Sequence, residues 1–152
     1  MAVERFLFEE AALADANNYS GWLDLWAPDG TYYAPANDDD ADTRLHVALL
    51  HDDYAGLVNR VHMLNEGLVH AQSPGSRTSR LIGNVRVSAG DDGLVVARAV
   101  FNLTAFRRQT LEMFAGRLVY FLRPEGESFR LVRKEIYLVN NDGYLPNMTF
   151  LL

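Results

Sequence analysis

Apolar residues recur at steps of three and four in two parts of the chain, which is the spacing of one helix face. In the first part Phe6 and Leu13 share a face, and Asn17-Asn18 interrupt the predicted helix. A second short helix is predicted directly after them, over 19–26. A third helix begins after Asp52-Asp53, whose carboxylates suit a helix start, and its apolar stripe consists of Leu57, Val61, Leu64 and Leu68.

From residue 78 onward, apolar and polar residues mostly alternate, which is the pattern of β-strands. Turn sequences rich in Gly, Asn and Asp separate the predicted strands, which cover 81–87, 94–106, 111–122, 129–139 and 148–152. An earlier short strand is predicted over 31–35, after a turn at Pro28-Asp29-Gly30. Gly116 interrupts an otherwise regular strand, which predicts a bulge or bend that lets long strands curl.

Helices that precede a long series of strands predict an α+β fold, with the helices on one face of the sheet. A curled antiparallel sheet with N-terminal helices across its concave face would form a cone with an internal pocket. The chain has 152 residues, which is the usual size of one domain. We therefore expect a single domain over 1–152.

Composition and charge exclude several function classes. Because the chain has no cysteine, it cannot by itself form a disulfide, a zinc ribbon or an iron–sulfur cluster. The net charge of −6 argues against nucleic acid as a partner. Glutamates interrupt the N-terminal apolar stretch, and no apolar run approaches the roughly 20 residues of a membrane span. No membrane association is predicted, and the expected location is the cytoplasm.

The charge is distributed unevenly along the chain. Residues 1–43 contain ten Asp or Glu and one basic residue, whereas residues 44–152 contain thirteen basic and ten acidic residues. One interpretation is a head-to-tail assembly, in which an acidic face of one copy meets a basic face of another. The other interpretation is an exposed acidic loop around 37–42.

A metal site is not predicted, although Asp42, His46 and His51 are the ligand types of non-haem iron oxygenases. Positions five residues apart point about 140° away from each other on a helix and to opposite faces on a strand. His46 and His51 therefore cannot share one ion in regular structure.

A pocket in the predicted cone could hold a single acid–base residue. Asp24, Asp29, Tyr32 and His70 lie near the predicted junction of helices and sheet, and they are the candidates. Such a chain would be a stand-alone isomerase, dehydratase or cyclase that acts on a small apolar molecule. A binding module without chemistry is a third possibility.

Segments along nearly the whole chain resemble the β (small) subunits of aromatic-ring-hydroxylating dioxygenases. The N-terminal segments are F-E-E-A-A-L-A-D at 8–15, W-L-D-L-W at 22–26 and D-G-T-Y-Y-A-P at 29–35. The most specific segment is S-P-G-S-R-T-S-R-L-I-G-N-V at 73–85. The resemblance continues with F-A-G-R at 114–117 and L-V-R-K-E-I at 131–136.

This resemblance implies a nuclear-transport-factor-like, or cystatin-like and SnoaL-like, cone. It also implies an α3β3 oxygenase for the catabolism of aromatic compounds, in which a catalytic α subunit holds a Rieske cluster and a mononuclear iron. The present chain would then form a structural homotrimer without a cofactor, a metal or a catalytic residue of its own. Its lack of cysteine agrees, because a Rieske centre needs two Cys and two His.

Arg77, Arg80 and Asn84 lie in the most specific segment and are the candidates for a subunit interface. Guanidinium groups there could bind carbonyl or carboxylate oxygens of a neighbouring chain. The alternative is that these residues hold their own loop in place. His70 and Gly83 stand where the family often has Trp and Ser, which leaves open a relative that works without a catalytic partner.

Overall fold

The computed structural model describes residues 2–36, 48–70, 76–140 and 150–152, with the main chain alone for 68–70. Three helices are present in these ranges: α1 (Ala2–Asp15), α2 (Tyr19–Leu23) and α3 (Tyr54–His70). One sheet contains β1 (Trp26–Pro35), β2 (Ala48–Asp52), β3 (Arg77–Ala89), β4 (Val95–Arg107), β5 (Thr110–Glu125) and β6 (Ser128–Leu138). A 3₁₀ turn over Asp91–Gly93 connects β3 to β4.

The strand order in the sheet is β2-β1-β6-β5-β4-β3. Strands β3 to β6 follow one another as antiparallel neighbours, as their alternating pattern predicts. Strand β1 pairs antiparallel with β2 but parallel with β6, a pairing that the sequence did not indicate. Because α1 packs against β3 and β6 while α3 packs against β1 and β2, the helices lie across both halves of the sheet. The predicted α+β class is confirmed.

The predicted break between the first two helices is confirmed, and its cause is visible. Asn17 adopts a left-handed backbone with φ 56°, a conformation that Asn tolerates better than most residues. The side chain of Asn18 then caps α2 by accepting a hydrogen bond from the Gly21 main-chain nitrogen at 3.0 Å. Asp53 caps α3 in the same way, with 2.8 Å to the Gly56 nitrogen.

The second helix was predicted to reach residue 26, but it ends at Leu23 and Trp26 begins β1. Two further predictions were wrong. The predicted turn at Pro28-Asp29-Gly30 lies inside β1, where the pairing of β1 with β6 shifts register between Trp26 and Thr31. The predicted strand at 148–152 does not form in its described part, since residues 150–152 lie outside the sheet. The turn predicted from residues 28–30 was wrong because a strand can contain such residues in a bulge.

The bulge or bend predicted at Gly116 is not found there. Gly116 pairs regularly with Phe101, whereas the register shifts between Gly83 and Arg86 in β3, and at Phe121 in β5. A side chain at position 116 would place its Cβ 2.2 Å from the Tyr137 main-chain oxygen. This glycine is therefore required by the close approach of β6.

The interior between helices and sheet is filled by large side chains. Trp22, Trp26 and Tyr32 contact one another edge-to-face, with ring centroids 5.5 to 5.9 Å apart. Trp22 and Tyr32 are fully buried, as are Tyr120 and, unusually, Lys134. Within the described ranges, no helix combines the length and the apolar character that crossing a membrane requires.

Candidate functional site

Glu10 is the centre of a buried polar cluster inside the cone. Helix α1 turns this carboxylate inward, and the Lys134 ammonium donates to both of its oxygens at 2.8 and 3.2 Å. The Trp22 indole N–H donates to Oε2 at 2.9 Å, and the Tyr120 hydroxyl donates to Oε1 at 3.2 Å. All four side chains are buried. These residues, together with Tyr32, are called the inner cluster below.

The electrostatics of the inner cluster keep the carboxylate ionised. Burial by itself would raise the pKa of Glu10, but the Lys134 charge and hydrogen bond, with Arg80 and Trp22, outweigh burial and lower this pKa below its ordinary value. Burial raises the pKa of Tyr120, and the neighbouring Glu10 raises it further. A carboxylate that has a lowered pKa and accepts four hydrogen bonds from three side chains is poorly suited to accept a proton from a substrate.

Residue 152 also contacts the inner cluster. Lys134 donates to the Leu152 main-chain oxygen at 2.7 Å. The Tyr32 hydroxyl accepts a hydrogen bond from the Leu152 nitrogen at 2.9 Å and donates to the Leu152 oxygen at 3.3 Å. Burial raises the pKa of Tyr32 far above its usual range, so its phenol is neutral.

Arg80 forms a second buried contact within its own chain. Its Nε donates to Asp15 Oδ1 at 2.8 Å, and a terminal nitrogen donates to the Leu151 main-chain oxygen at 3.1 Å. Thr78 also donates to Asp15, at 2.7 Å. The guanidinium thus connects the end of α1, strand β3 and residue 151, and its side chain is 3% exposed. For Arg80 this geometry favours the alternative in which the residue stabilises its own subunit.

Of the candidate acid–base residues, Asp24 and Asp29 are exposed whereas Tyr32 is buried, so these three do not share one pocket. Asp24 is exposed at the end of α2, where its main-chain oxygen accepts a hydrogen bond from Arg130. Asp29 is exposed and binds Arg123 through two hydrogen bonds of 2.8 and 3.1 Å, which lower the pKa of this carboxyl. Tyr32 lies in the inner cluster. His70 ends α3, and its side chain lies outside the described part of the structure.

Arg77 and Asn84, in contrast to Arg80, reach the outer surface of the sheet. The Arg77 guanidinium lies over the Phe106 ring, 5.0 Å from its centroid. Asn84 is exposed at the register shift of β3 and has a left-handed backbone with φ 52°. Both side chains are therefore placed where another chain could contact them.

An apolar patch on the outer face of the sheet was not predicted. Leu81, Met113 and Val139 are 74%, 73% and 76% exposed, and Val100 on β4 and Leu111 on β5 are exposed apolar residues as well. Leu81 and Val139 belong to one row across the sheet, because Leu81 pairs with Asn102, Asn102 with Ala115, and the Val139 nitrogen donates to the Ala115 oxygen. These five apolar residues are called the outer patch below. Outward strand positions that face water usually carry polar residues. Apolar residues at such positions were therefore the sequence signal for this patch.

The described residues contain no group of three or more His, Asp or Glu side chains placed to hold a metal ion. His51 is exposed on β2 and contacts the Tyr33 ring edge-to-face at 5.2 Å. Asp42, His46 and the predicted acidic loop lie outside the described residues. Neither Glu10 nor Lys134 was predicted as a site residue, although both fall at inward positions of apolar segments.

Comparison with known proteins identifies relatives that match most of this chain. A family model described as the ring hydroxylating beta subunit matches residues 9–142. The anthranilate 1,2-dioxygenase small subunit of Acinetobacter baylyi is 34% identical over 146 residues, which are 92% of this chain and 89% of that protein.

Solved structures show the same fold. The β subunit of benzoate 1,2-dioxygenase from Burkholderia mallei superposes with a TM-score of 0.82 at 25% identity, and the match covers 98% of this chain and 95% of that chain. An NTF2-like protein with a cystatin-like fold from Novosphingobium aromaticivorans superposes with a TM-score of 0.60 at 16% identity, covering 91% of this chain and 80% of that chain. The predicted cystatin-like cone, with helices on the concave face of a curved sheet, is confirmed.

Proposed function

The chain belongs to the family of ring-hydroxylating dioxygenase β subunits, and we propose that it is a structural subunit that performs no chemistry itself. The inner cluster carries this proposal. Among the described residues, the titratable side chains of the inner cluster, which are Glu10, Lys134, Tyr32 and Tyr120, are buried and already bound to other groups of the same chain. A stand-alone isomerase or dehydratase would instead need an acid or base that faces an open pocket.

The redox chemistry of the assembled oxygenase is assigned to a catalytic α subunit. We propose that this partner holds a Rieske iron–sulfur cluster and a mononuclear iron. The present chain has no cysteine, so its own residues do not fit a Rieske centre, which needs two Cys and two His. Two of the relatives are named for anthranilate and benzoate, and both compounds are aromatic carboxylates. The proposed substrate of the complex is therefore an aromatic carboxylate.

The proposed assembly is α3β3, in which three copies of this chain form a homotrimer. Each copy is one domain over 1–152, and the proposed location is the cytoplasm. The outer patch supports assembly, because large exposed apolar patches mark interaction surfaces in soluble proteins. Arg77 lies on the same face of the sheet, and Arg is enriched at interfaces because its planar group binds carboxylates and aromatic rings. We assign Arg77, Asn84 and the outer patch to contacts between copies of this chain.

The first test is purification of the tagged chain from its native cells, followed by native mass measurement and iron analysis. The expected result is a stoichiometric, cysteine-containing, iron-bearing partner, with three copies of each chain and oxygen uptake that depends on an aromatic carboxylate. An iron-free chain that is recovered alone, and that turns over a small apolar substrate, would instead support the stand-alone enzyme. In that outcome, Asp24, Asp29, Tyr32 and His70 become the residues to substitute first.

A further inference from the structure

Residues 150–152 occupy the inner end of the cone as a bound molecule would. Leu151 and Leu152 are almost completely buried, and the Phe150 ring packs edge-to-face on Phe114 with centroids 5.3 Å apart. These three residues belong to no strand. The hydrogen bonds given above for their main-chain groups are made with side chains of the cone wall, not with a neighbouring strand.

Three side chains from three strands bind this segment. Tyr32 of β1 binds both main-chain groups of Leu152, Lys134 of β6 binds the Leu152 oxygen, and Arg80 of β3 binds the Leu151 oxygen. Partners behind two of these groups fix their positions, since Glu10 holds Lys134 and Asp15 holds Arg80. Apolar walls with a few polar groups that point to one place are the composition of a small-molecule pocket.

We propose that the cone contains a latent pocket for a small apolar molecule with one oxygen acceptor, and that residues 150–152 occupy this pocket as an internal ligand. The acceptor is a carboxylate or a carbonyl oxygen that takes the place of the Leu152 oxygen, because the groups that meet that oxygen are the Lys134 ammonium and the Tyr32 hydroxyl. This pocket is a property of the single chain and does not rest on the assembly proposed above.

The size and the occupancy of the pocket are both consistent with this assignment. A dry cavity of about 150 Å³ is enough to hold benzene, and two buried leucine residues fill more space than one benzene ring. A segment of the same chain competes at a high effective concentration, typically in the millimolar range for short connections. A free ligand at lower concentration does not displace it, so the pocket remains hidden in the unaltered protein.

The test uses the full chain with a double substitution, Leu151→Asp and Leu152→Asp. Carboxylates at both positions disfavour burial beside Glu10, so the segment leaves the cone and the pocket opens. Benzoate, acetophenone and toluene serve as probes of similar size, with a charged acceptor, a neutral acceptor and no acceptor. Binding is measured by calorimetry and by the rise in melting temperature.

The unaltered chain is expected to show no melting-temperature rise with about 1 mM of any probe. The double variant is expected to bind benzoate or acetophenone at least about tenfold more tightly than toluene, the effect of one hydrogen bond of about 1.4 kcal/mol. Adding Lys134→Met should remove that preference while toluene still binds. Leu111→Asp, a matched change at an exposed position, should bind no probe.

A folded double variant that binds none of the probes, or that binds toluene as tightly as the other two, overturns the proposal. If the aspartate variant does not fold, Leu151→Ala with Leu152→Ala opens apolar space while it leaves the main-chain contacts in place. Stabilisation of that variant by toluene supports the pocket, and no stabilisation by any probe refutes it.

Discussion

Glu10 Oε1 and Lys134 Nζ lie 2.8 Å apart inside the cone, with side chains that are 1% and 2% exposed. The pair joins the first helix to the last strand of the sheet across 124 positions of sequence. Moving two charges out of water is unfavourable, so such a pair adds little net stability compared with well-packed apolar residues. Removal of one partner, however, leaves the other charge buried without compensation.

Lys134→Met is therefore expected to lower the free energy of unfolding by about 3–5 kcal/mol, because it leaves the Glu10 carboxylate and the Leu152 oxygen without their cation. Urea unfolding near neutral pH measures this loss. The double variant Glu10→Gln with Lys134→Met should recover part of it, because a neutral amide needs no counter-charge. Arg123→Met is the matched control, since it breaks an exposed ion pair with Asp29 and should change the urea midpoint little. An equal effect of the two single changes would refute the buried-pair interpretation.

The pH dependence of stability should carry the signature of Glu10. Its folded-state pKa is lowered, mainly because Lys134 overcomes the effect of burial. A lowered pKa contributes stability that is fully present above the ordinary value of 4.5 and is lost as the pH falls through the folded pKa. Unfolding free energies between about pH 6 and about pH 3 should thus fall more steeply for the unaltered chain than for Glu10→Gln. Parallel curves for the two proteins would contradict this assignment.

The order of elements was readable from the sequence because periodicity and turn residues are local signals. Asn17-Asn18 and Asp53 predicted helix boundaries correctly, since their side chains act within three residues of the main chain. The parallel pairing of β1 with β6 was not readable, because residues 26–33 and 131–135 are brought together only by the complete fold. The role of Gly116 was misjudged for the same reason, as its constraint comes from Tyr137 on another strand.

The candidate sites divide in a similar way. The sequence selected Tyr32 and Arg80, both of which lie in the interior, but it could not show that their partners are main-chain groups of residues 151 and 152. Charge alone does not separate the inward Arg80 from the outward Arg77, because both stand on β3 and the difference depends on strand alternation and register. The outer patch is visible only when β3, β4, β5 and the residue after β6 are placed side by side.

Gly116→Ala is expected to be strongly destabilising because the added Cβ would lie 2.2 Å from a main-chain oxygen of β6. Strand β5 or β6 would have to move, so we expect a loss of about 3 kcal/mol or more in unfolding free energy. Gly83→Ala is the matched control in β3, where a Cβ meets nothing within 4 Å. This control should be neutral or slightly stabilising, by about 0.5 kcal/mol. Similar stabilities for the two variants would show that the strands do not approach as described.

Substitutions of Arg77 and Arg80 should affect different properties, which are assembly for Arg77 and stability for Arg80. Arg80→Ala removes the contacts with Asp15 and Leu151 and should lower the free energy of unfolding by about 2–3 kcal/mol. Arg77→Ala removes an exposed side chain and should leave the melting temperature nearly unchanged, while the proposed trimer becomes weaker. Thermal unfolding and light scattering measure the two properties. A strong loss of melting temperature in Arg77→Ala without any change in mass would show that Arg77 also acts within its own subunit.

The outer patch gives the most direct test of the proposed trimer. Leu81→Glu with Met113→Glu introduces two charges at exposed positions of the sheet, so the fold should remain intact while burial of the patch against another copy becomes unfavourable. We expect light scattering to show a monomer at concentrations where the unaltered chain is a trimer. Met63→Glu is the control, because Met63 is 64% exposed on α3 and lies outside the patch. That control should remain trimeric. A trimeric patch variant that no longer binds the iron-bearing partner would instead assign the patch to the catalytic subunit, and loss of trimers in the control alone would place the contact on α3.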